Sequence, residues 1–169
     1  MDSARRDQLA ARRQLAQLRL ARGRASATYR ALSPLLCQQG ARFARLPPVA
    51  CDAALQGLTD GPGQDERLLW GDVPGARCRP WADAADRNAL IAAALAEVAA
   101  PATRIAVIWE PTSAGLLIRH QQLRPVIGAL FDQLHGTIWL VAANGGPWLI
   151  EVSLMDDEIC WAPVMPGCN

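Results

Sequence analysis

Asp156, Asp157 and Glu158 form the densest acidic run in the chain. Adjacent carboxylates are hard oxygen donors and suit Mg2+ or Ca2+. This run has neither the loop pattern of an EF-hand nor a nuclease signature. In a hairpin turn, Asp also uses its carboxylate to accept from its own backbone N–H groups. The expectation is an acidic turn facing a partner, with no bound metal. A hydrolytic centre would need Glu110 brought beside Asp156 and Asp157. His120 and His135 are the two imidazoles. They flank one helical segment and would stand about 22 Å apart along a continuous helix, too far to share a metal or a catalytic centre. Neither sits beside a Ser or Cys in a recognisable nucleophile elbow. Asn144-Gly145-Gly146 lacks the remainder of a phosphate loop, and all 17 basic residues are arginine. No catalytic residue, metal or cofactor is therefore assigned, and the chain reads as a non-enzyme.

Five cysteines (Cys37, Cys51, Cys78, Cys160, Cys168) make an odd number, with no C-x-x-C pair. They read as free thiols in a reducing cytosol. No apolar run approaches the ~20 residues that span a bilayer. The N-terminus is rich in Arg and Gln and carries no apolar signal region. A cytoplasmic protein is expected.

The net charge of +1 conceals a division. Residues 1–45 hold ten arginines against Asp2 and Asp7, giving +8. Residues 46–169 hold seven arginines against fourteen acids, giving −7. A basic helical arm over 1–45 thus precedes an acidic body over 46–169, the two forming one structural domain.

The elements that must position these charges follow from periodicity. Residues 4–31 read as a helix, with Ala11, Leu15, Leu18, Ala25 and Tyr29 on one stripe. Arg5, Arg6, Arg12, Arg13 and Arg19 lie on the broad opposite side. Ser33-Pro34 reads as the start of a second short helix ending near Gly40. Asp52 caps a short helix through Leu58, Thr59–Gly63 reads as a linker, and Arg67–Trp70 as an edge strand. Residues 73–81 read as loop. Asp83 or Asp86 caps a helix through Ala99.

Residues 104–162 then read β-β-α-β-β-β. Residues 104–110 and 116–119 form a hairpin. Leu123, Val126, Ile127, Leu130 and Leu134 mark one face of a helix over 121–134, ended by Gly136. Residues 137–143, 148–153 and 158–162 are strands. In the second of these, Trp148, Ile150 and Val152 share one side, with Glu151 and Ser153 on the other. Short connections imply antiparallel neighbours, hence an α+β fold: a sheet of about five strands with helices on one face.

These readings point to a protein-binding module. An acidic surface of Glu151, Asp156, Asp157 and Glu158, with Trp148 and Trp161 on an exposed sheet face, would meet a protein partner. Small bacterial α+β proteins of this character include immunity proteins that neutralise a basic toxin domain. The alternative is a nucleic-acid-associated protein using Arg5, Arg6, Arg12, Arg13 and Arg19. Dimerisation through the N-terminal helix is a further expectation.

Overall fold

Strand segments apolar on both sides belong at the centre of a sheet, where both faces are covered. The computed structural model describes residues 2–56, 70–110, 114–143 and 148–163, and it places them so. β5 (Thr137–Ala142) is the middle strand, with β3 (Arg104–Glu110) on one side and β6 (Leu149–Ser153) on the other. β4 (Ala114–Arg119) continues outward from β3, and β7 (Glu158–Ala162) from β6. All are antiparallel. The α+β class and the five expected strands are present.

Two further strands close the edges, giving a seven-stranded sheet in the order β1-β4-β3-β5-β6-β7-β2. β1 (Phe43–Leu46) pairs with β4, and β2 (Arg77–Pro80) with β7. The second lies in the stretch expected to be loop. A four-residue edge strand takes its order from the ladder of its neighbour and needs no apolar alternation of its own. Pro80 is tolerated because an edge strand has one side unpaired.

The helices differ from expectation in three places. α1 (Asp2–Gln38) runs 37 residues, straight through Pro34. A proline inside a helix costs about 3 kcal/mol. Leu32 and Leu36, on either side of it, are fully buried in the main core. Their burial contributes about 1.5–3 kcal/mol each, enough to offset the break. Gly40, at φ 73°, then ends the helix: Gly40 N donates to Cys37 O and Ala41 N to Leu36 O, both at 3.0 Å.

α2 (Pro48–Gln56) starts at Pro48, so Asp52 lies inside the helix and does not cap it. Pro at the first turn lacks only an N–H that would be unpaired anyway. The expected helix over 121–134 is broken into α4 (His120–Leu123), a 3₁₀ turn (Arg124–Val126) and α5 (Ile127–Phe131). Pro125 falls in the middle and cannot donate, so the backbone tightens there. The apolar face survives: Leu123, Val126, Ile127, Leu130 and Leu134 are all buried. α3 (Ala84–Val98) is as expected, with Asp83 Oδ1 accepting from Asp86 N at 2.8 Å. The expected linker 59–63 and most of the expected strand 67–70 lie outside the described residues; Trp70 itself opens a 3₁₀ turn and is buried.

Helices were expected on one face of the sheet. α1, α3, α4 and α5 do share one, over Ile105, Val107, Ile118, Ile138, Leu140 and Ile150. α2 covers part of the other, where Cys51 lies in a second core with Ala106, Ile108, Val141 and Leu149. Leaving that patch wet would forfeit about 25 cal/mol per Å² of apolar surface.

Gly115 sets how closely α2 approaches. A Cβ there would lie 2.8 Å from Val107 O and 3.1 Å from Cys51 Sγ. Gly115→Ala is expected to lower stability by about 1–3 kcal/mol, read from urea unfolding. An unchanged midpoint would show that the β3–β4 ladder and α2 are free to shift.

Candidate functional site

The acidic run sits at the turn between β6 and β7, and the backbone fixes it firmly. Ser153 Oγ donates to Asp156 Oδ2 at 2.6 Å, closing the turn from within. Asp157 adopts the left-handed conformation at φ 53°, which Asp tolerates better than most residues. Leu154 N donates to Gly136 O at 3.0 Å and Trp81 N to Asp157 O at 2.9 Å. The turn is thus tied to neighbouring chain on both sides. Its outward side presents Asp156 and Asp157, both exposed, and Met155, which is 80% exposed. Glu158 is half-buried at the base. A rigid acidic tip bearing one large apolar side chain results.

The rest of the expected partner surface is not at the surface. Trp148 and Trp161 are each 5% exposed and lie in the core beneath the helices. The expected alternation of β6 is right, but its Trp side faces the helix layer. Trp161 Nε1 donates to Glu97 Oε2 of α3 at 3.2 Å, and Arg77 of β2 reaches the same oxygen at 2.9 Å. Trp161 therefore clamps α3 to the sheet. Glu151 lies on the opposite face and is 2% exposed. Its Oε2 accepts from Trp139 Nε1 at 3.2 Å. A carboxylate so enclosed is not part of the exposed surface, and desolvation makes a buried charge dependent on its donors.

The basic arm is a separate feature. From Arg6 to Leu20, every residue whose side chain is described is exposed. That includes Arg6, Arg12, Arg13 and Arg19, and also Leu9, Leu15 and Leu20 at 48%, 55% and 64%. The side chain of Arg5 lies outside the described residues. Burial begins at Ala21 and Ala25 and deepens at Leu32 and Leu36. About 22 Å of helix, from Arg6 to Leu20, therefore extends free of the body, from 1.5 Å per residue. Ala, Leu, Arg and Gln are strong helix formers, and the packed C-terminal half removes the nucleation cost. The charge boundary near residue 45 is not a structural boundary; the free arm ends inside α1. Among the described residues, the ion pairs Arg77–Glu97 and Arg87–Asp132 join parts of the body to one another.

His120 and His135 sit in different surroundings. His120 is buried, with Nδ1 3.3 Å from Ala100 O, and His135 is exposed at the end of the α5 segment. Glu110 ends β3 at the same end of the sheet as the acidic tip, with β5 and β6 between; its side chain lies outside the described residues.

The cysteines depart from the expectation of free thiols. Cys78 of β2 and Cys160 of β7 face each other in the ladder and form a disulfide. The pairing was hidden because Cys78 lies in a stretch without strand character. Cys37 is free and exposed, and Cys51 free and buried. Among the described residues no helix is long and apolar enough to cross a membrane. In sequence, the chain matches no known protein family and no curated protein.

Burial, with the charge of neighbouring Asp52 as a second cause, pushes the Cys51 thiol up from 9.0 to about 12. Below pH 9 the thiol is neutral in both folded and unfolded chains. Above it, the unfolded thiol ionises while the folded one holds its proton, so its contribution to stability is lost between about pH 9 and 12. Cys51→Ala is expected to flatten the fall in unfolding midpoint across that window, by up to about 1.4 kcal/mol per pH unit. Parallel pH profiles for the two proteins would exclude a buried thiol at this position.

Proposed function

We propose that this chain is a non-enzymatic protein-binding module whose β6–β7 tip meets a basic partner. The observation that carries the reading is the fixed tip itself: exposed Asp156 and Asp157 beside exposed Met155, on a turn tied at both ends. A preorganised turn loses little entropy on docking. Met supplies an adaptable apolar contact, and the carboxylates steer a cationic surface into place. The body over 46–169 as a whole, with seven arginines against fourteen acids, adds a long-range field of the same sign. A bacterial immunity protein that neutralises a cationic toxin in the cytoplasm is the specific form of this reading.

The test is a quantitative pull-down from the native host with wild type and Asp156→Arg/Asp157→Arg. A basic protein held by wild type should be lost, or bound about tenfold more weakly, by the variant. Met155→Ala should weaken it by about 1 kcal/mol or more. Capture of the same proteins by all three would sink the reading.

A second reading is favoured by the exposure of Arg6, Arg12, Arg13 and Arg19: the arm binds nucleic acid. It predicts that affinity for a duplex falls steeply with salt and disappears when residues 1–20 are removed. The acidic-tip variant would leave that binding intact. Salt-independent binding, or binding retained without the arm, would reject it.

A further inference from the structure

The edge formed by β2 and β7 gathers soft and hard metal ligands that the sequence keeps far apart. Cys78 stands directly opposite Cys160, so both side chains leave the same face of the sheet. Glu158 lies two residues before Cys160 and shares that face, diagonal to Cys78. One ligand atom from each of the three residues lies within 4.8 Å of the other two. Burial is graded across the group: Cys78 exposed, Glu158 half-buried, Cys160 buried. The group is therefore open to solvent from the sheet edge and backed by protein on its inner side. Two thiolates and a carboxylate form a donor set for Zn2+, leaving one tetrahedral position for water. The disulfide removes both thiolates, so disulfide and metal exclude each other.

We propose that Cys78, Cys160 and Glu158 form a redox-gated Zn2+ site, closed as the disulfide and open as the dithiol. The reductant is a dithiol, of the thioredoxin class or dithiothreitol. It gives two electrons and two protons and becomes a disulfide itself, while the Cys78–Cys160 S–S bond breaks to two thiols. Zn2+ then binds both sulfurs and one Glu158 oxygen, and the two thiol protons leave to solvent. The ligands stay in place through this exchange because β2 is held by more than the disulfide. Its backbone ladder to β7, the Trp81 N–Asp157 O bond and the Arg77–Glu97 ion pair all remain. Ligands fixed on two adjacent strands need little rearrangement to receive the ion.

The test uses the full chain, oxidised or reduced with dithiothreitol and desalted without oxygen, titrated with Co2+ and then Zn2+. The reduced protein should bind one equivalent with a thiolate-to-cobalt charge-transfer absorption that Zn2+ displaces; the oxidised protein should show none. Cys78→Ser removes an exposed side chain and one of the two thiolates, so the fold should persist by circular dichroism while the charge-transfer absorption is at least halved. Glu158→Gln should keep the absorption and weaken Zn2+ by at least about tenfold. The proposal is overturned if the reduced protein binds no stoichiometric metal. It is equally overturned if the absorption survives at full intensity in Cys78→Ser, which would assign it to thiols outside the site, or if Glu158→Gln binds as tightly as wild type.

Discussion

The structure depends on a sheet centre that is apolar on both sides. In β3, Ile105 and Val107 point one way and Ala106 and Ile108 the other, and all four are buried. A strand with two apolar faces must be covered twice. α1, α3, α4 and α5 supply the thicker layer, and α2 a thinner one against the small side chain of Ala106 and the bare backbone of Gly115. The same requirement fixes α1. Its second half is held by Leu32 and Leu36, strongly enough to carry the helix through Pro34. Its first half has no sheet beneath it and remains free.

Polar chemistry is consequently displaced to the margins. The interior is filled by interlocked aliphatic and Trp side chains, leaving charged groups at turns, edges and the free end of α1. Among the described residues, Arg87 and Glu151 are charged yet buried, Arg87 against Asp132 and Glu151 more deeply. Glu151 lies inside the sheet face between Trp139 and Cys160 in the ladder, and takes a hydrogen bond from the Trp139 indole. Burying that carboxylate without such a donor would cost several kcal/mol. The acidic tip lessens the cost by leaving Asp156 and Asp157 exposed, with Ser153 Oγ donating to Asp156 Oδ2.

Much of the body was legible because local physics decides it. The 104–119 hairpin, β5, β6 and β7 show through apolar runs bounded by turn residues. Gly136, at φ 75°, ends its segment as glycine can. The buried face from Leu123 to Leu134 was legible even though Pro125 breaks the helix that carries it, since side-chain spacing survives a local tightening of the backbone. Of the proposed contact surface, Asp156 and Asp157 were legible as an exposed turn. Trp148 and Trp161 were not legible as core: alternation sorts residues into two faces and leaves open which face receives the helices.

By itself, then, the sequence determined the periodic elements, the class of fold, the acidic turn and the segregation of arginines into the first helix. These rest on contacts between residues a few positions apart. Only the tertiary structure decided that Pro34 lies inside one long helix, that two short Arg-containing segments become edge strands, and that Cys78 reaches Cys160 across 82 positions. Each is settled by a distant partner: a core that holds Leu32 and Leu36, and a strand whose open edge supplies hydrogen bonds. No local pattern encodes such a partner, because the stabilising contact does not exist until the sheet has formed.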